Sequence, residues 1–148
     1  MQLFAPRADE RSVSDRSNEH DILIRVIVIE DDANLRQVMG LFLRSLGAEV
    51  LAEIADGAAA LEHLADEASP SPDLILTDCQ MPRMDGIALV RHLRARGDRT
   101  PVIMISGQQD PRVVRLAYEA GVDHYLPKPL SADSLTFAIG QTFPNWAA

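Results

Sequence analysis

The stretch LTDCQMPRMDGIALV, residues Leu76–Val90, decides the fold. An apolar run closes on a carboxylate, Asp78, turns through Met81-Pro82, and resumes after Asp85-Gly86 with apolar residues at helical spacing. A strand that ends on an acid and passes through a short turn into a helix is a βα unit. No lysine or arginine stands near Asp78 before Arg83, so a positive partner for this acid has to come from elsewhere in the chain.

The same texture recurs on both sides. Upstream, ILIRVIVIEDD from Ile22 is a β-branched run that reads as a strand buried on both faces. ANLRQVMGLFLRSLG follows with Leu35, Val38, Met39, Phe42, Leu43 and Leu46 at helical spacing, and it stops at Gly47, a good C-terminal cap. EVLAEI is a short strand, GAAALEHLADEA an alanine-rich helix, and SPSPD a proline-punctuated loop leading to the strand LILT. Downstream come helix IALVRHLRAR, strand PVIMIS, helix DPRVVRLAYEA, strand HYLP and a last helix, SADSLTFAIG. Five strand–helix pairs alternate without an internal repeat, which predicts an α/β fold with right-handed crossovers and a parallel sheet covered on both faces.

Composition sets the outer limits. The 148 residues suit one domain, and the 47% apolar fraction is enough for an ordinary core. Residues 1–21 are charged, serine- and arginine-rich and aperiodic, and read as a disordered N-terminal arm; 22–141 form the domain and 142–148 a short tail. A net charge of −8 argues against general affinity for nucleic acid or anionic lipid. The single cysteine, Cys79, excludes an internal disulfide, and no apolar run is long enough to cross a bilayer or serve as a signal peptide, so a cytoplasmic protein is expected.

In an open doubly wound sheet, ligands gather beyond the carboxyl ends of the strands. That rule selects Glu30, Asp31 and Asp32 after the first strand, Asp78 after the third, Ser106 after the fourth, and Tyr125 with Lys128 at the fifth. Several carboxylates in one place repel unless a cation compensates, and hard oxygens without histidine or thiolate suit magnesium, or manganese, better than zinc. With such a cation present, Asp78 becomes a nucleophile towards phosphorus, Lys128 adds positive charge and Ser106 donates a hydrogen bond to a phosphoryl oxygen. Taken singly, each residue also has an ordinary structural role. Asp32 is expected to cap the helix that follows and not to bind metal. Tyr125 suits a core ring with its hydroxyl at the rim, and Cys79 a small, partly buried side chain.

The segments VIVIEDDANLR, LILTDCQMPRMDG, PVIMISG and AGVDHYLPKPL resemble, in order and spacing, the motifs of the bacterial response-regulator receiver domain, from about Ile22 to Gly140. The resemblance implies a flavodoxin-like, doubly wound, five-stranded parallel sheet in the order 2-1-3-4-5 with five helices. It implies phosphoryl transfer from a histidine kinase or histidine phosphotransfer protein, magnesium dependence and self-catalysed loss of the phosphoryl group. By position, Asp78 matches the phosphoacceptor, Asp31 the direct metal ligand, Glu30 the acid linked to the metal through water, and Gln80 the residue whose main-chain carbonyl completes the metal site. Ser106 and Tyr125 match the switching residues and Lys128 the invariant lysine, and Lys128–Pro129 matches a characteristically cis bond. Pro127 departs from the pattern and is tolerable only on an edge strand. Gln108 also departs; with Gln80 it flanks the path of an attacking water, and neither amide is a general base.

Two other readings compete. A haloacid-dehalogenase-type phosphohydrolase also forms an aspartyl phosphate, but it resembles D-x-D after the first strand, and here Gln80 stands two residues beyond the acid. A receiver that is a fragment of a larger regulator, or a dimerisation or docking module, shares the fold. With no basic residue after Lys128 and no room for a helix-turn-helix, direct DNA binding is not expected. A monomer or weak dimer acting through a downstream protein is, with Phe143 and Trp146 either contributing to that contact or packing on their own domain.

Overall fold

A computed structural model describes residues 23–146; the expected N-terminal arm lies outside the described residues. The chain runs β1 (Arg25–Ile29), α1 (Ala33–Ser45), β2 (Glu49–Ile54), α2 (Gly57–Ala65), β3 (Leu74–Asp78), α3 (Gly86–Ala95), β4 (Val102–Ser106), α4 (Pro111–Ala120), β5 (His124–Pro127) and α5 (Ala132–Thr142). All strands pair in parallel, in the order β2-β1-β3-β4-β5. The doubly wound architecture read from the βα alternation is the one observed.

Period-two alternation divides the core between the two faces of the sheet. Val26 and Val28 of β1 turn towards α1 and α5, against Met39, Leu43, Leu135 and Ile139. Ile27 and Ile29 turn towards α2, α3 and α4, against Ala60, Leu89, Leu93 and Ala117. The central strands β3 and β4 are buried at every position, as a strand covered on both sides must be. At the edges, β2 and β5 are partly exposed, which is where Pro127 is accommodated. Lys128–Pro129 is cis.

Local chemistry sets the helix starts. Asp32, Asp56, Asp85, Asp110 and Ser131 each precede a helix in extended backbone and accept an N–H of its first turn, a contact worth about 1 kcal/mol. Asp32 thus has the capping role expected of it. Two helix ends differ from the periodicity. α2 stops at Ala65 because Asp66 turns its side chain onto the Ala68 N–H, 2.9 Å away, an Asx turn that competes with the helix. α5 continues two residues past Gly140, to Thr142. Beyond it the chain folds back, the Trp146 N–H donates to the Phe143 carbonyl at 2.9 Å, and the indole joins the core on the α1/α5 face. Among the described residues, no helix is long and apolar enough to cross a membrane.

Candidate functional site

Sheet register brings the strand ends together. Ile29 is level with Thr77, Asp78 with Ile105, and Ser106 with Pro127, so Glu30, Asp78, Ser106 and Lys128 share one edge. Carboxylate oxygens of Glu30, Asp31 and Asp78 lie within 4.8 Å of one another. Glu30 and Asp78 are buried at 1% and 2% exposure, whereas Asp31 faces solvent. Lys128 reaches in from the end of the edge strand β5, placing its ammonium 3.1 Å from Asp78 Oδ1 and 3.6 Å from Glu30 Oε1. This is the positive partner that the neighbourhood of Asp78 in the sequence lacks. Arg83 is not that partner: its backbone is left-handed, with φ 67°, and its guanidinium points to Asp56, 4.0 Å away.

Glu30 is held at several points. Its Oε2 accepts the Asp32 N–H at 3.0 Å, its main-chain carbonyl accepts from Arg36 at 2.7 Å, and its N–H donates to the Ile54 carbonyl at 3.0 Å. Its Oε1 and Asp78 Oδ1 are buried and, apart from the Lys128 ammonium facing them, have no hydrogen-bond partner among the described residues. Buried oxygens with lone pairs to spare, next to a third carboxylate open to solvent, fit a hard divalent cation. The carboxylate cluster is therefore capable of coordinating one, and the donor set is the one magnesium prefers.

Burial pushes the Glu30 carboxyl up from 4.5 to about 7; Asp78 adds to the rise, while the Asp32 amide and Lys128 oppose it. For Lys128 burial works in the lowering direction, but the Asp78 and Glu30 carboxylates more than offset it and the ammonium is held above its ordinary range. Because folding raises the Glu30 pKa, its contribution to stability is complete below about pH 4.5 and is lost as pH rises through about 7. Without divalent cations, wild type is expected to lose on the order of 3 kcal/mol relative to Glu30→Gln between these limits. Urea unfolding of both proteins across that range measures it, and identical pH profiles would contradict the buried-carboxyl account.

A second cluster adjoins the first. Ser106 is fully buried, and its Oγ accepts the Gln108 N–H at 2.9 Å. The half-buried Tyr125 donates its hydroxyl to the Gln108 carbonyl at 2.6 Å, and burial raises its pKa. Cys79 is buried at 3% exposure. Its thiol pKa is raised by burial first and by Asp85 next, which makes it an unreactive packing group. Gln80 lies exposed beyond it, on the loop leading away from Asp78.

One residue of the site escaped attention in the sequence. The Gly86 N–H donates to the Cys79 carbonyl at 2.7 Å, and a Cβ at this position would run into the Asp78 main-chain carbonyl and lie 3.0 Å from Met104 Cε. The start of α3 therefore packs directly behind the acid, at a distance only glycine permits. The available signal was the Asp85-Gly86 pair, in which the aspartate caps the helix and the glycine admits the close approach.

The comparisons with known proteins agree with this geometry. The family model described as response regulator receiver domain matches residues 26–140. The regulator of RpoS from Escherichia coli is 38% identical over 106 residues, 72% of this chain and 30% of that protein. Response regulator MprA from Mycobacterium ulcerans is 35% identical over 113 residues, 76% of this chain and 47% of that protein. This chain thus spans less than half the length of either relative. The signal receiver domain of the putative response regulator NarL from Mycobacterium tuberculosis superposes with a TM-score of 0.72 at 31% identity, covering 80% of this chain and 94% of that one. With its strand order, its acidic cluster and the match over most of its length, the chain belongs to the response-regulator receiver domain family.

Proposed function

We propose that this chain takes a phosphoryl group onto Asp78 and uses the charge it gains to change which protein it binds. The observation that carries this reading is the convergence of a buried acid and an ammonium 3.1 Å apart at a sheet edge that also holds Glu30, Asp31 and Ser106. In the reaction an Asp78 oxygen attacks phosphorus, the bond from phosphorus to the donor's imidazole nitrogen breaks, and that nitrogen keeps the electron pair. The product is an acyl phosphate. Lys128 stays charged and faces the phosphoryl oxygens, and Ser106 turns its hydroxyl to one of them. A magnesium or manganese ion held by Asp31, Asp78, the Gln80 main-chain carbonyl and, through water, Glu30 would neutralise charge on the transferring group.

The donor in this reading is a histidine kinase or a histidine phosphotransfer protein, and the setting is the cytoplasm. Phosphorylation adds roughly −1.5 to −2 charge. Drawing Ser106 towards it releases the Gln108 N–H and lets Tyr125 move inwards, so the surface that changes is α4, β5 and α5. α5 carries Asp133 and no lysine or arginine, so a homodimer sealed by acid–base pairs across it is disfavoured. The output is contact with a different protein, made by a monomer or weak dimer.

Acetyl phosphate with magnesium is expected to add one phosphoryl group per chain, read as intact mass. Asp31→Ala should raise the magnesium requirement by at least about tenfold, since even loss of an outer-shell partner costs that much. No uptake at saturating donor and magnesium would refute the proposal. Steady turnover of a simple phosphomonoester would favour a phosphohydrolase instead.

A further inference from the structure

Tyr125 is tied to both ends of α4. Its hydroxyl holds the Gln108 carbonyl at 2.6 Å, just before the helix begins, and its main-chain N–H donates to the Tyr118 hydroxyl at 3.1 Å, in the helix's last turns. The second bond has a topological origin. Alternate residues of a parallel edge strand turn their N–H groups away from the sheet. Lys128 donates its N–H to the Ser106 carbonyl of β4, so within β5 the outward positions are Tyr125 and Pro127. Proline has no N–H to offer. Tyr125 thus carries the one outward donor of β5, and Tyr118 covers it.

These ties matter because α4 is weakly anchored. Ala117 is its only buried side chain, against five buried residues in α3. Its C-terminal end has a further support in Arg94, whose guanidinium donates to the Gly121 carbonyl at 2.7 Å and pairs with Asp123 at 3.5 Å. The N-terminal end hangs on the loop joining Ser106, Gln108 and Gln109, where Ser106 Oγ and the Tyr125 hydroxyl are the groups that move if Asp78 is phosphorylated.

We propose that Tyr118 is a positioning residue of the switch: its hydroxyl pins the C-terminal turn of α4 to the edge of β5, so that within α4 phosphorylation moves only the N-terminal turn about this pivot. The proposal rests on Asp78 being the acceptor and Tyr125 the switching ring. A backbone N–H does not swing with its side chain, so the pin survives when the Tyr125 ring turns inwards and the Gln108 contact breaks.

Amide hydrogen exchange on Tyr118→Phe tests it. Tyr118 is 47% exposed, so losing its hydroxyl should leave the fold intact, checked by unchanged protection of the β3 amides. In unphosphorylated protein the Tyr125 amide should exchange about fivefold to tenfold faster than in wild type, the loss of one net hydrogen bond. Tyr125→Phe should loosen residues 107–113 and leave that amide protected. With acetyl phosphate and magnesium, the exchange change in wild-type α4 and the loop before it should stay within 107–113, and in Tyr118→Phe it should spread through Ala120. An unchanged Tyr125 amide in Tyr118→Phe, equal loss of its protection in Tyr125→Phe, or identical phosphorylation footprints in wild type and Tyr118→Phe would overturn the proposal. If wild type takes up no phosphoryl group, the acceptor reading fails, while the unphosphorylated measurements still decide whether Tyr118 holds α4.

Discussion

Asp78→Asn protein, incubated with acetyl phosphate and magnesium under conditions that load wild type, is expected to gain no phosphoryl group. An amide matches the carboxylate in size but has no anionic oxygen with which to attack phosphorus, so the step is lost and not merely slowed. The neighbouring acids are poor substitutes. Glu30 is buried, one of its oxygens is held by the Asp32 N–H at 3.0 Å, and its carboxyl is pushed up to about 7. Asp31 is exposed to water, and the Lys128 ammonium pairs with Asp78, at 3.1 Å, and with Glu30, at 3.6 Å. Intact mass and peptide mapping make the measurement, and the midpoint of urea unfolding checks the fold. A phosphoryl group retained in the variant would move the acceptor to Glu30 or Asp31.

Trp146→Ala is expected to cost about 3–5 kcal/mol of stability, the range for deleting a large aromatic ring from a core. Trp146 is 8% exposed and belongs to the same cluster as Ile24, Val26, Leu43 and Ile139, against which Phe143 also packs. Ala would leave a cavity that the strands and α5 cannot close, because they are fixed by their own hydrogen bonds. Urea unfolding at constant pH gives the value, and a loss under about 1 kcal/mol would show that the ring only rests on the surface. The burial also bears on function. Of the two roles open to the tail rings in the sequence, Trp146 has the one inside its own domain, and a partner could reach it only by unpacking that corner.

Tyr118 and Gly86 show where sequence reading stops. Neither sits on an apolar periodicity that would single it out, and each acts on a residue in a different element: Tyr118 on the outward N–H of β5, Gly86 on the carbonyl behind Asp78. Asp32, by contrast, was legible as a cap because the bond it makes, to the Leu35 N–H, spans three residues of the same helix.

The division follows the range of the forces involved. Alternating strand and helix periodicities, Asp32 before the first helix, Gly47 after it and an acid closing β3 are local patterns, and they determined by themselves a parallel α/β sheet with carboxylates at one edge. Which groups meet there depends on strand order and register, which no short window of sequence contains. The strand-end rule put Lys128 at the same edge as Asp78; only the tertiary structure decided that its ammonium lies 3.1 Å from Asp78 and 3.6 Å from Glu30, that Glu30 is buried deeply enough to raise its pKa, and that the tail folds back to bury Trp146. Charge pairing and desolvation act between atoms a few ångströms apart in space, however far apart they stand along the chain.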